Sequence, residues 1–204
     1  MSAPSAPTTH PDDELLAAAT AGDTLRVTAA LANHASVEAR DRHRRTALLL
    51  AATNDHVEVA QLLVQAGADP NAMDDRHDTP WLVTGVTGSV AMLEVLLPAG
   101  ADLTIRNRYG GVSVIPASER GHIEYVRRVV HTDIDVNHLN DLHWTALLET
   151  VILGDGSPTY VEIARVLLAA GADPAIADGD GVTPLAHAER LGYSALAHTL
   201  RGTS

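Results

Sequence analysis

The 204-residue sequence contains no cysteine, no lysine and no phenylalanine. Without cysteine it has no disulfide, no thiol nucleophile and no thiolate metal site, and the redox compartment stays open. Without lysine it has no Schiff-base amine and no P-loop lysine; all 14 basic residues are arginine. Aromatic residues make up only 3 %. The core must therefore come from Ala, Leu and Val, which suit close-packed helices better than an aromatic-rich sandwich. Positive charge is also scarce. The formal net charge is −12 with His neutral, which argues against nucleic acid or an anionic membrane as partner, since both need a basic footprint. The 11 His residues raise that charge once the pH falls below about 6.5. No apolar run approaches the roughly 20 residues that span a bilayer. Residues 1–11 have neither the basic nor the apolar region of a signal peptide and read as a flexible arm. The expectation is a soluble, cytoplasmic chain without cofactor or metal.

What the sequence does contain is a repeat. "GADPNAMDDRHDTPWLV" (67–83) aligns end to end with "GADPAIADGDGVTPLAH" (171–187). "LLVQAGAD" (62–69), "LLPAGAD" (96–102) and "LLAAGAD" (167–173) match as well. A threonine marker falls at Thr46, Thr79, Thr145 and Thr183, with Val112 in the equivalent place and a degenerate copy at Asp13. From Asp13 the spacing is 33 residues four times and then 38. Asp41, Asp74, Asn107, Asn140 and Asp178 each stand five residues before the marker. Such a period signals one supersecondary unit stacked on copies of itself.

Each unit reads as turn, short helix, turn, longer helix. The marker Thr can cap the first helix, and Pro80 and Pro184 sit at its first position, where a missing N–H costs nothing. Ala51 and Ala52 allow close helix approach, and Val57, Val59, Leu62 and Leu63 form an apolar stripe at helical spacing. Gly67, Gly100 and Gly171 end the second helix. No unit could bury its stripe alone; stacking makes the core continuous.

The pattern resembles the ankyrin repeat, with its Asp or Asn opening, T-P-L-H-like helix start, G-H turn and G-A-D ending. "AATNDHVEVAQLLVQAGADPNA" (51–72) is nearly the full motif, and "ERGHIEYVRRVV" (119–130) carries the G-H turn. The resemblance implies an all-α ankyrin-repeat solenoid of stacked helix-turn-helix units with projecting turns. It spans a single domain over 12–202, in units 12–40, 41–73, 74–106, 107–139, 140–177 and 178–202. Arg44, His77 and His143 replace the turn glycine and should strain their turns, and His34 replaces the helix-ending glycine.

Ankyrin proteins usually bind partner proteins with their turn tips and inner helix face. Carried over by position, the tips are Arg42, His43 and Arg45; Asp75, Arg76 and Asp78; Arg108 and Tyr109; and Asp141, Leu142 and Trp144. Arg, Tyr and Trp are frequent interface hot spots, although turn tips are polar in any fold and Trp144 can fold back over its neighbours. The leading expectation is a monomeric, non-enzymatic interaction module.

Three irregularities cluster in units four and five, and the first two bear on an alternative, an enzyme or small-ligand binder. Pro116 falls in the first helix of unit four and should delay or kink it. Glu149 and His187 take the same register in units five and six, and Glu119 lies three residues after Pro116. Glu119, Glu149 and His187 could line one groove, with Arg120 and Arg190 at its rim, for acid–base chemistry or a metal. Alternatively Glu149 caps backbone or pairs with His187 as a structural bond. The third irregularity is the five-residue expansion in "LGDGSPTY" (153–160), read as a loop between two helices rather than an anion cradle. "DGDG" (178–181) lacks the glutamate spacing of a calcium loop, and neither H-E-x-x-H nor G-x-S-x-G occurs.

Overall fold

The marker threonines Thr46, Thr145 and Thr183 cap the first helices of their repeats. The Thr46 hydroxyl accepts from Leu49 N at 3.2 Å, Thr145 from Leu148 N at 3.2 Å and Thr183 from Ala186 N at 3.3 Å. The structure is a computed structural model that describes residues 10–202. Among them are twelve helices and no strand. These are α1 (Pro11–Ala21), α2 (Thr24–Ala32), α3 (Ala47–Thr53), α4 (Val57–Gln65), α5 (Pro80–Thr87), α6 (Val90–Leu96), α7 (Val114–Glu119), α8 (Ile123–Val129), α9 (Ala146–Ile152), α10 (Pro158–Ala169), α11 (Pro184–Leu191) and α12 (Ser194–Arg201). Most of the expected arm, residues 1–9, lies outside the described residues. His10 and Pro11 belong to the start of α1, where His10 Nδ1 accepts from Asp12 N at 3.3 Å.

The chain gathers into two units. One runs up to Pro80 and takes in Ala91–Ala101; the other holds Trp81–Val90 and the chain from Asp102 onward. In the first unit α1 packs on α2 and α3, and α4 on α2 and α3. In the second, α9 packs between α7 and α11, and α10 between α8 and α12. Within each unit, first helices thus stack on first helices and second on second, as a 33-residue period requires. The cores are mainly Ala, Leu, Val and Ile, but two of the scarce aromatics, Trp81 and Tyr125, are their largest fully buried side chains.

A polar ring at the start of the second helix repeats along each unit and reaches back one repeat. His56 Nε2 meets the Thr20 carbonyl at 3.1 Å, and His122 Nε2 meets that of Val86 at 3.0 Å. The Tyr160 hydroxyl donates to Glu119 O at 2.8 Å, and Tyr193 to Gly154 O at 3.1 Å. The ring lies so close to the preceding turn that a Cβ on Gly22 would stand 2.6 Å from His56, and one on Gly88 2.5 Å from His122. This is the physical content of the G-H turn.

Arg44, His77 and His143 do take positive φ, at 60°, 62° and 57°, where Gly110 and Gly181 stand in the other repeats. Two irregularities resolve differently from their simplest reading. Pro116 delays α7, which begins two residues after the marker rather than one, but it breaks no hydrogen bond. It is the third residue of the helix, where the N–H has no intrahelical acceptor. The expansion at 153–160 is loop only to Ser157. Pro158 occupies the first helical position of α10, so part of the insertion lengthens that helix to 12 residues.

Candidate functional site

The Asp or Asn that opens a repeat builds the tip that follows it. One side-chain oxygen accepts from two tip amides, two and four residues on. Asp41 Oδ1 takes His43 N (2.8 Å) and Arg45 N (2.9 Å), and Asp74 Oδ1 takes Arg76 N (2.7 Å) and Asp78 N (2.9 Å). Asn107 Oδ1 takes Tyr109 N (2.9 Å) and Gly111 N (3.0 Å), and Asn140 Oδ1 takes Leu142 N (2.9 Å) and Trp144 N (3.0 Å). Asp178 Oδ1 takes Asp180 N (3.0 Å) and Val182 N (2.9 Å). Short Asx side chains suit this because they can mimic a backbone turn.

In the first unit Arg42, His43, Asp75 and Arg76 are exposed, while Arg45 and Asp78 are half-buried. Arg45 is held by Asp41 at 2.6 Å, Arg42 Nε lies 2.9 Å from His43 Nε2, and Asp75 N donates to His43 O at 3.2 Å. In the second unit Arg108, Tyr109, Asp141 and Leu142 are exposed and Trp144 is half-buried. Asp141 N donates to Tyr109 O at 2.9 Å, which couples the two tips. Tyr109 is 59 % exposed and Leu142 60 %, and the Arg108 guanidinium lies 4.5 Å over the Tyr109 ring.

The groove residues divide into two pairs rather than one cluster. Glu149, on α9, is 6 % exposed, and its Oε1 accepts from Asn140 Nδ2 at 2.8 Å. Burial, and then the Glu119 charge, push its carboxyl up to about 7, while the Asn140 hydrogen bond pulls it down. His187, on α11, is 5 % exposed and bonds not to Glu149 but to Asp178, with Nε2 2.6 Å from Oδ2. Arg190 Nη2 lies 2.7 Å from His187 Nδ1. Because a guanidinium only donates, Nδ1 accepts and the Nε2 proton points to Asp178. Both ring nitrogens are thus engaged, and no imidazole nitrogen faces Glu149. The Val182 backbone N–H, then His187, hold Asp178 below the usual carboxylate range. Glu119 is half-buried and Arg120 is exposed. Among the described residues, no group of three or more His, Cys, Asp or Glu comes together as a metal site.

A family pattern described as ankyrin repeats (three copies) matches residues 15–107. The ankyrin repeat protein YahD of Escherichia coli (strain K12) is 38 % identical over 191 residues, covering 93 % of this chain and 94 % of that protein. The chain belongs to the ankyrin-repeat family. The crystal structure of an ankyrin repeat domain from Acinetobacter baumannii AYE superposes with a TM-score of 0.89 at 43 % identity, covering 93 % of this chain and 96 % of that one. That of EF0377, an ankyrin repeat protein, gives 0.90 at 35 % identity, covering 95 % and 98 %. Ankyrin repeats are generally protein–protein interaction modules, and the fold is typically non-enzymatic. No helix among the described residues is long and apolar enough to cross a membrane.

Two functional features of this ankyrin chain escaped the sequence reading, namely the second roles of Asn140 and Asp178. The signal was present. Asn140 to Glu149 and Asp178 to His187 are both nine-residue spacings from a repeat opening to the same helical register. At that register the other repeats carry Leu50, Val83 and Pro116, which offer the opening residue no hydrogen bond.

Proposed function

We propose that this chain is a monomeric, cytoplasmic, non-catalytic module that binds a partner protein through its repeat tips, with the second unit's contact centred on Tyr109 and Leu142. One observation carries the reading. Two tips joined by the Asp141 N to Tyr109 O bond carry an aromatic and an aliphatic side chain, Tyr109 and Leu142, each more than half exposed. Large exposed apolar groups rimmed by Arg108 and Asp141 fit an interface centre with a polar rim. The first-unit tips, Arg42, His43, Arg45, Asp75, Arg76 and Asp78, are polar throughout and partly committed to internal pairs, so they add register more than affinity.

The test is affinity capture from a lysate of the source organism with three tagged proteins: wild type, Tyr109→Ser with Leu142→Ser, and Arg42→Ala with Arg76→Ala. One protein recovered by wild type, lost with the first variant and reduced with the second supports the reading. Equal recovery by wild type and Tyr109→Ser/Leu142→Ser, with unchanged circular dichroism, refutes this placement of the contact.

A further inference from the structure

Glu149 is a buried acid whose carboxylate accepts a hydrogen bond from a side chain that also builds a tip. Asn140 is itself 7 % exposed, and its two polar atoms are divided. Nδ2 donates inward to Glu149 Oε1, and Oδ1 accepts outward from Leu142 N and Trp144 N. An amide can play both parts only in this orientation, since a flipped amide would set Nδ2 against two N–H groups. We propose that Glu149 is a proton-operated latch on the fifth-repeat tip: the ionised carboxylate fixes the Asn140 amide and so tightens residues 141–144, and protonation slackens them.

The chemistry follows from the bond types. A hydrogen bond to a carboxylate is roughly twice as strong as one to a neutral acid. Uptake of one proton at Glu149 therefore weakens the inward anchor of Asn140 and leaves its outward pair less fixed. The sixth repeat lacks such a latch, because Asp178 faces a histidine there, and the fourth lacks one because Asn107 faces Pro116. The elements α7, α10 and α11 pack against α9. α7 brings Glu119, whose charge adds to that of Glu149. α10 brings Tyr160, bonded to the Glu119 carbonyl, and Glu162, paired with Arg127 and Arg165. α11 brings His187 and Arg190, engaged with each other and with Asp178, and Glu189, paired with Arg201. The tip itself carries Asp141 and His143, both exposed. Two of these groups, His143 and His187, are imidazoles. The consequence for a partner rests on the proposed role of this tip, but the latch itself is read in the free protein.

The test is solvent exchange of backbone amides by NMR between about pH 5.5 and 8.5 on the full chain, expressed as protection relative to unstructured peptide. In wild type, protection of Leu142 and Trp144 should fall about fivefold as pH is lowered, while Tyr109 and Gly111 on the Asn107 tip stay level. Glu149→Gln should give a flat profile. Glu119→Gln, at a half-buried site, should keep the transition and move its midpoint to lower pH by removing a like charge. His143→Asn should leave the transition in place, since Asn tolerates positive φ. A level wild-type profile, a transition that survives Glu149→Gln, or one lost with His143→Asn would overturn the proposal. So would Asp180 and Val182 moving at the same midpoint, because the change would then not be confined to the fifth tip. If Glu149→Gln fails to fold, the direction of the Glu119→Gln midpoint decides. Loss of partner capture alone leaves these exchange profiles unchanged.

Discussion

At the scale of single residues, stability and its pH dependence concentrate in side chains that break the repeat pattern. The Glu149 carboxyl is raised from 4.5 to about 7, with burial as the main cause. A raised acid stabilises the fold most below its unfolded value, and that contribution is lost as pH climbs through about 7. At roughly 1.4 kcal/mol per unit, the ionised form costs on the order of 3 kcal/mol at pH 8. Urea denaturation should therefore find Glu149→Gln more stable than wild type by up to about 3 kcal/mol at pH 8, with the gap closing towards pH 4.5. The same fall in pH that steadies the whole fold should loosen the fifth tip, an opposition that a merely packed glutamate would not produce. Backbone strain is a second residue-scale prediction. Arg44, His77 and His143 hold φ near 60° in turns where two other repeats carry glycine. A left-handed residue with a Cβ costs about 1–2 kcal/mol, part of which glycine gives back as unfolded-state entropy. Each change to Gly should raise stability by up to about 1 kcal/mol in the same assay.

At the scale of elements, what matters is how one repeat is fastened to its neighbour and how a tip is fastened to its helix. The ring contacts of His56 and His122 against Gly22 and Gly88 leave no room for a Cβ. Gly88→Ala should cost about 2 kcal/mol or more, through both the positive φ of 73° and the displaced ring. The tip fastenings come as matched sets. An amide faces an acid in the fifth repeat, and an acid faces an imidazole in the sixth. Asn140→Asp sets two buried carboxylates against each other and should destabilise by about 1–3 kcal/mol at pH 8. Adding Glu149→His, which transplants the sixth-repeat pair, should recover at least about 1 kcal/mol of this in a double-mutant cycle. Additive effects would mean that the two positions do not communicate. The nine-residue spacing of both pairs was legible beforehand. Their pairing partner was not, because helical register alone placed Glu149 and His187 next to each other and gave no reason to prefer the turn below.

At the scale of the whole molecule, charge is the dominant variable. A net charge of −12 on 204 residues repels itself. Raising NaCl from about 0.05 M to about 0.5 M shortens the screening length severalfold and should raise the melting temperature at pH 8 by a few degrees. Near pH 5.5 the salt effect should shrink, because protonating all 11 His residues would bring −12 to −1. A salt response independent of pH would remove net charge as the cause. The same acidity would repel nucleic acid and agrees with the proposed contact through the apolar side chains at the tips.

The sequence by itself determined the repeat, its 33-residue period, the caps, the glycine turns and the family, because each depends on contacts within a few residues or on copies of one motif. It also marked Pro116, Glu149 and the 153–160 expansion as departures. Only the tertiary structure decided what each departure does. Pro116 is harmless because α7 starts late enough to make it the third helical residue. The expansion becomes an extra stretch of α10 because Pro158 can open a helix. Glu149 answers to Asn140 and not to His187, because hydrogen bonds follow the direction of a side chain in space, which a repeat register fixes only to the nearest face.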